Sequence, residues 1–432
     1  MKGNFFRHKG LAIALLKLVN VITGFTVTLM LSRFLGLDEF GGYVFLLSVA
    51  TLIAVVVKLG RPQLIVRETA KAVVDKEWSR VHELWKWAER DALKLYCLVF
   101  AMVSLVYAAG IAFERFVVAD VLFVAVIVLL LSKLSLSSAR LRGLGFVVSG
   151  AAPELLYRPI IFIGLITSVY LVVPSRLTAS TALMLQALTL LFVLGLSALI
   201  LMQRKDPRIR RAADQTESVE PWRKSSYSLA VVGITTTFNQ HVDIVLLGSL
   251  ADITETAVYR VAAQLTSVMI LAQTAINLYI APSLATRFAL GKFSSARATV
   301  RKYGLISFLF ALLVYLSFAV FGQYFLELLF GSDYLASYLP FLILGLGQLV
   351  NAAVGPAIVA LNMAGHDRTT ARASLTSLGL NIVLNLILIP RYGAVGAAIS
   401  TSASMIVLQI LVKVALSRFW RQQNGEVNDS KP

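Results

Sequence analysis

Long apolar runs set the terms for this chain. The first, LAIALLKLVNVITGFTVTLML from Leu11 to Leu31, matches the thickness of a bilayer core, and similar runs recur to the end. A helix needs roughly 20 mostly apolar residues to cross a membrane. Segments 11–31, 42–59, 93–113, 117–138, 147–173 and 178–202 qualify, as do 226–250, 256–281, 303–326, 338–363, 371–390 and 393–416. None sustains the period-two alternation of a transmembrane β-barrel. The expected fold is therefore an all-α polytopic membrane protein with about 12 transmembrane helices. Composition agrees: 58% of residues are hydrophobic and 15% charged, against about 45–50% and about 25% in soluble domains. The first run is too long for a signal-peptide core and lacks a small-residue cleavage site, so it reads as the first span.

Charge orients the spans. The formal net charge is +17, which in a soluble protein would point to nucleic acid. Here Lys and Arg collect on one side. Lys2, Arg7 and Lys9 precede span one; Arg61, Arg67, Lys71, Lys76, Arg80, Lys86 and Arg90 follow span two; Arg204, Lys205, Arg208, Arg210 and Arg211 follow span six. The opposite side holds Arg33, Arg115, Arg176 and Arg391. The positive-inside rule then puts both termini in the cytoplasm and makes the number of spans even. Net charge is topology, and no nucleic-acid partner is expected.

Residues 67–92 place Val74, Trp78, Val81 and Trp85 at helical spacing among charges, the pattern of an amphipathic helix lying at the membrane interface. Residues 203–224 are polar with two prolines and read as a cytoplasmic linker. The expected domains are a six-helix bundle at 1–202, the linker 203–224, a second six-helix bundle at 225–416 and a cytoplasmic tail at 417–432. The halves echo each other. LIVRETAKAVVDKEWSRVHEL follows span two and YIAPSLATRFALGKFSSARATVRKY follows span eight; SSARLRGLGF and VALNMAGHDRTTARAS follow spans four and ten. Six spans per half give both halves the same orientation, related by a pseudo-two-fold axis along the membrane normal.

The run SRFLGLDEFGGYVFLLSVATLIAVVVKLGRPQLIVRETA resembles the first two helices of the oligosaccharide flippases, the polysaccharide transporters of the multidrug/oligosaccharidyl-lipid/polysaccharide superfamily. The O-antigen flippases belong to that group. The similarity rests on Ser32-Arg33, Leu35-Gly36, Asp38-Glu39, Gly41 and Tyr43, then Gly60 and Arg67-Glu68, together with span count and repeat. It implies two six-helix bundles around a central cavity lined mainly by spans one, two, seven and eight.

Ionisable residues inside a membrane are functional candidates, because each is costly unless paired or wet. Lys17, Asn20, Gly24 and Thr28 form one polar stripe on span one. Thr236, Asn239, Gln240 and Asp243 form another on span seven, and Arg260, Gln264 and Ser267 a third on span eight. Lys17 is close enough to the headgroups to snorkel. A cavity-facing position is preferred, since a snorkelling lysine needs no Asn20 and Thr28 beneath it. Arg260, near the outer end of its helix, fits an interfacial position equally well. Substrate-binding candidates are thus Lys17, Asn20, Thr28, Asn239, Gln240, Asp243, Arg260 and Gln264. Glu154 and Arg158, one turn apart, read as a structural i,i+4 ion pair. The asparagines of spans ten and eleven (Asn351, Asn362, Asn381, Asn385) read as interhelical hydrogen-bonding groups.

Other chemistry is missing from the sequence. There is no phosphate-binding GxxxxGK[ST] loop, and His8, His82, His241 and His366 are scattered with no metal-ligand spacing. Cys97 is the only cysteine. No catalytic residue, metal or cofactor is expected, apart from a coupling H⁺ or Na⁺ for which Asp243 is the candidate. The resemblance implies a transporter, not an enzyme: a flippase moving polyprenyl-diphosphate-linked oligosaccharide (an O-antigen or other surface polysaccharide repeat unit) across the cytoplasmic, or inner, membrane. Its partners would be that lipid-linked glycan, membrane lipids and other polysaccharide-assembly membrane proteins. The alternative is a cation-coupled multidrug exporter of the same superfamily, whose usual acid in the first bundle's cavity is replaced on span one by Lys17. Lipid II flippases resemble fourteen-span chains, against twelve spans here.

The topology makes a direct prediction. A reporter active only outside the cytoplasm, fused after Asp75, is silent; strong activity there overturns the orientation.

Overall fold

The computed structural model describes residues 2–108, 117–173, 177–204, 206–211 and 220–429. Within these, the side chains of 2–11, 14, 106–108, 210, 211, 232 and 424–429 are not described. Arg115, Arg176, Lys205 and the middle of the expected linker, 212–219, lie outside the described residues.

Every described element is helical. In order they are α1 (Lys2–Lys58), α2 (Arg61–Val74), α3 (Trp78–Ala108), α4 (Val118–Gly143), α5 (Val147–Ala152), a π-helical turn at Pro153–Tyr157, α6 (Arg158–Val172), α7 (Ala179–Arg204) and α8 (Pro207–Arg211). Then come α9 (Glu220–Leu250), α10 (Ile253–Ala289), α11 (Phe293–Leu329), a 3₁₀ turn at Ser332–Ser337, α12 (Tyr338–Val354), α13 (Ala357–Met363) and α14 (Asp367–Asp429).

Two of these helices are too long to cross once. The 44 residues of Leu15–Lys58 would extend about 66 Å at roughly 1.5 Å per residue, twice the hydrocarbon core. α1 is interrupted at Gly36 (φ 76°, ψ 178°), and α14 at Gly393 (φ 51°, ψ −130°). Positive φ costs an L-residue strain that glycine avoids. Each of these helices therefore carries two crossings. α3 begins charged and turns apolar from Leu93. Among the described residues, the apolar segments read from the sequence fall on helices, the segment 338–363 on two of them, α12 and α13, with Gly355 and Pro356 between. The chain is a multi-pass membrane protein.

The chain divides into two compact units, Met1–Val242 and Asp243–Pro432. That division falls inside α9, whereas the sequence reading put a linker at 203–224. Residues 417–429 continue α14, so the expected tail is helical as far as Asp429. Its Phe419 and Trp420 are buried with Ile280, Leu284, Ala360 and Leu416 in the core of the second unit, and Phe288 packs against both aromatic rings. Apolar side chains at helical spacing were present in this stretch, but the basic residues around them masked it.

The interfacial helix expected at 67–92 is broken. α2 stops at Val74, and a turn with Lys76 at φ 61° separates it from α3. Val74 is exposed, while Val81 and Trp85 are buried beside Leu64, Ile65, Leu136 and Ala139. The apolar face thus packs on protein: Trp85 Nε1 donates to Thr69 Oγ1 at 2.9 Å, and the Arg140 guanidinium lies 5.4 Å from the Trp85 ring centroid. Buried Arg61 is paired with Asp91 and donates to the Val57 carbonyl at 2.6 Å, tying the α1–α2 corner to α3.

At that corner Gly60 has φ 70°, and a Cβ added there would sit 2.5 Å from Ala230 N and 2.9 Å from Leu229 C. Backbone cannot retreat as a side chain can. Gly60→Ala is therefore expected to lower stability by at least about 2–3 kcal/mol, strain and overlap together. Gly24→Ala, with nothing within 4 Å of the new methyl, is tolerated. Thermal unfolding in detergent measures both, and an unchanged Gly60→Ala midpoint refutes the close approach.

Candidate functional site

The first unit has an open-sided cavity of about 410 Å³ where α1 turns into α2. Lys58, the last residue of α1, lines it with Gln63 of α2, Ser135 and Arg142 of α4, and Gly233 and Thr237 of α9. No acidic residue lines it. The Lys58 side chain makes no hydrogen bond or ion pair with any described residue. Arg142 spends its Nε on the Ser138 carbonyl of its own helix, at 3.3 Å. Arg158 and Glu154 lie close enough to act electrostatically on Lys58.

Glu154 and Arg158 do not form the ion pair expected from their spacing. Glu154 Oε1 is buried without a hydrogen-bond partner, and no contact within ion-pair distance joins the two side chains. The reason is local. Pro153–Tyr157 is a π-helical turn in which the Arg158 N–H reaches back to the Pro153 carbonyl. A π turn holds more than four residues, so positions four apart no longer stack on one face. Pro159 follows at once and can donate no backbone hydrogen bond, which favours the irregularity.

Of the candidates on span one, Lys17 is exposed, Asn20 half-buried and Thr28 buried. The Thr28 hydroxyl donates to the Gly24 carbonyl at 3.0 Å, so its polarity is met within the helix. Asn239 and Gln240 are exposed on α9; Asn239 Nδ2 donates to the Thr235 carbonyl at 3.0 Å. His241 Nδ1 sits 3.3 Å from Ser48 Oγ. His241 and Asp243 therefore serve different surroundings.

In the second unit Asp243 is the centre of a buried cluster. Asn385 Nδ2 donates to Asp243 Oδ1 at 2.6 Å, and Tyr259 OH and Thr401 Oγ1 each reach Oδ2 at 2.7 Å. Asn385 also donates to Asn381 Oδ1 at 3.1 Å, and its own Oδ1 is buried without a partner. The donors come from α10 and from both limbs of α14. No Lys or Arg among the described residues pairs with this carboxylate. These hydrogen bonds satisfy both side-chain oxygens of Asp243 inside the bundle, as a buried polar group requires. The ring also concentrates oxygen lone pairs from Asp243, Thr401, Asn381 and Asn385, a donor set that suits a proton or a hard cation.

Two candidates on span eight stay out of this cluster. Gln264 is buried and bonds to Ser267 on its own helix, at 3.4 Å. Arg260 is half-buried. It is Tyr259, about 100° away around the helix, that faces Asp243. Tyr259 and Thr401 went unnoticed in the sequence because a tyrosine and a threonine in apolar runs carry no pattern. The i,i+4 pair Asn381 and Asn385 was the legible signal.

A second polar knot centres on Asn351. Its Nδ2 donates to Gln348 Oε1 at 3.0 Å and Gln273 Oε1 at 3.2 Å, while Gln409 Nε2 donates to its Oδ1 at 2.7 Å. The knot adjoins Gly355, whose φ of 68° ends α12 before Pro356. Among the described residues, no three His, Cys, Asp or Glu side chains converge as a metal site would require.

A family model described as polysaccharide biosynthesis protein matches residues 6–286. A curated protein of Haloferax volcanii, the probable low-salt glycan biosynthesis flippase Agl15, is 28% identical over 198 residues, 45% of this chain. That alignment takes in 41% of the relative's length. Among solved structures, an inward-facing multidrug resistance MATE family transporter of the MOP superfamily superposes with a TM-score of 0.75 at 13% identity, covering 95% of this chain and 99% of the other. The lipid II flippase MurJ in an inward closed conformation gives 0.67 at 12% identity, covering 94% and 87%. These likenesses establish the fold, that of the MATE and MurJ transporters.

Proposed function

Because the chain belongs to the polysaccharide biosynthesis protein family, we propose that it is a flippase for a polyprenyl-diphosphate-linked oligosaccharide, the repeat unit of an O-antigen or another surface polysaccharide. The observation that carries this reading is the cavity of the first unit, lined by Lys58 and Arg142 and by no acid. A diphosphate and its sugars cannot enter hydrocarbon, whereas the lipid tail can stay in it. A polar cavity whose lining carries cations and no acid supplies what the headgroup needs: charge-assisted hydrogen bonds to phosphate from Lys and Arg, and Gln63, Ser135 and Thr237 for hydroxyls. In the orientation read from charge, this cavity lies at the cytoplasmic end of span two. There a substrate assembled in the cytoplasm would load. Lys17 lies about two turns inside the same end of span one, and its exposed ammonium is a second phosphate contact. In the first unit Asn20, Asn239 and Gln240 are the proposed glycan-facing groups; in the second, Arg260 is half-buried on α10 and buried Gln264 is engaged with Ser267.

The protein would sit in the cytoplasmic membrane, the inner membrane of a cell that has two, with both termini in the cytoplasm. It would work beside other membrane proteins of polysaccharide assembly. The relatives named above are two flippases and a transporter. We also propose that Asp243 couples transport to H⁺ or Na⁺. Its ring of neutral oxygen and nitrogen partners can reorganise around a cation without a Lys or Arg to displace. Multidrug export coupled to a cation remains the competing function, and the lysines separate the two.

In a flippase-deficient strain, Lys17→Ala and Lys58→Ala should each abolish surface polymer at normal levels of inserted protein. Lys17→Arg should keep part of the activity, because charge is retained but the compact ammonium becomes a planar fork. Lys17→Glu should be worst, since it repels the diphosphate. A merely snorkelling Lys17 predicts the reverse for alanine, which removes an intramembrane charge costing about 2.5–3.5 kcal/mol on insertion scales. Normal polymer from both alanine variants refutes the diphosphate reading.

For coupling, Asp243→Asn in vesicles should reduce transport driven by a Na⁺ or proton gradient to the level seen with the gradient collapsed. Gradient-driven transport that persists in this variant removes Asp243 from the coupling step.

A further inference from the structure

The second unit holds another polar cavity, away from Asp243 and from the Asn351 knot. It has a volume of about 300 Å³ and lies between the end of α10 and the start of α11. Arg287 and Lys302 supply charge, Ser283, Ser295 and Thr299 supply hydroxyls, and Tyr279 and Tyr303 form an aromatic wall. Again no acidic residue lines the cavity, and no ion pair with a described residue neutralises either cation.

The arginine is already held in place. Its Nη1 donates to the Ser295 carbonyl at 2.8 Å, to Ser295 Oγ at 3.0 Å, and to Thr299 Oγ1. No described residue takes its Nε or Nη2, so part of the guanidinium fork remains available. Lys302 is exposed, with its Nζ 6.0 Å from the Tyr303 ring centroid. The two tyrosine rings pack at 5.9 Å, and Tyr279 is largely exposed. Tyrosine in such a position is typical of the headgroup level of a membrane. From this level an exposed apolar stripe, Leu305, Leu309, Leu313 and Leu316, runs along α11 at helical spacing.

We propose that this cavity binds the phosphate of an anionic phospholipid, with the headgroup between Arg287 and Lys302 and an acyl chain along the α11 stripe. Basic pockets between transmembrane helices at the cytoplasmic face are suited to such headgroups. Three features together distinguish the cavity from a general basic surface: a cation fixed in advance, an aromatic wall, and an apolar track continuous with it. A free phosphate would use the first of these only, and the apolar track selects the lipid.

The test uses the full chain in detergent, with lipid retention read by native mass spectrometry. The probes are phosphatidylglycerol, phosphatidylcholine and inorganic phosphate. The wild type should retain phosphatidylglycerol in preference to phosphatidylcholine, and millimolar phosphate should not displace it. Lys302→Gln should weaken retention about fivefold, the effect of one basic residue at an anionic surface. Ala298→Trp, which fills the mouth of the cavity from an exposed helix position and leaves both charges in place, should weaken it at least as much. Lys292→Gln, an equal loss of charge at the same end but outside the cavity, should have no effect. The proposal is overturned by equal retention of the two lipids, by displacement with phosphate, or by a Lys292→Gln loss matching that of Lys302→Gln. Should Ala298→Trp fail to fold, the two exposed lysine variants still decide the matter.

Discussion

In a hydrocarbon solvent every backbone N–H and C=O must find its partner inside the protein, and this requirement orders the whole chain. It makes the described elements helices. It also makes each interruption of a helix costly, so interruptions occur where glycine, proline or a nearby polar group meets the cost. Gly36 and Gly393 divide the two longest helices. Carboxylates complete the adjoining ends: Glu39 accepts the Ala179 N–H at 2.6 Å, and Glu255 accepts the Ala394 N–H at 2.7 Å. The acidic pair after Gly36 is therefore in part a helix-capping device. A charged cap at a helix N-terminus satisfies a donor that would otherwise be orphaned.

The same interruptions are where function collects. Lys58 ends one helix, and Gly60 opens the next through a corner that leaves no room for a Cβ. The cavity beside them is lined by residues of both helices and of α4 and α9. The π turn at Pro153–Tyr157 holds Glu154 and Arg158 apart as separate charges near Lys58, when a regular helix would have paired and neutralised them. In the second unit the Gly355-Pro356 break adjoins an amide knot, and the two limbs of α14, separated at Gly393, both supply partners to Asp243. Asn385 comes from the limb before the break and Thr401 from the limb after it. One continuous helix would not present both.

Much of the fold could be read from the sequence because solvent sets it residue by residue. Apolar length gave the spans, and the Lys and Arg distribution gave an orientation for them. Lys17 and Asp243 stood out by cost alone, since a charge inside an apolar run is anomalous wherever the helix packs. Hydropathy failed where polarity and burial part company. The Phe419–Trp420 pair sits among basic residues yet is core. The α2–α3 segment has an amphipathic period, but its apolar face is covered by α4, α8 and α9.

The sequence by itself determined the class of solvent, the helical content, the twelve crossings and the presence of isolated intramembrane charges, because each follows from a local transfer free energy. Only the tertiary structure decided which groups meet. Tyr259 rather than Arg260 faces Asp243, although they are neighbours, because 100° of helix separates them. Lys58 became a cavity residue, and Glu154 lost its expected partner, through one corner and one widened turn. Partnership inside a bundle depends on rotation and register between helices. Those are set by packing of the whole, and no local property of the chain encodes them.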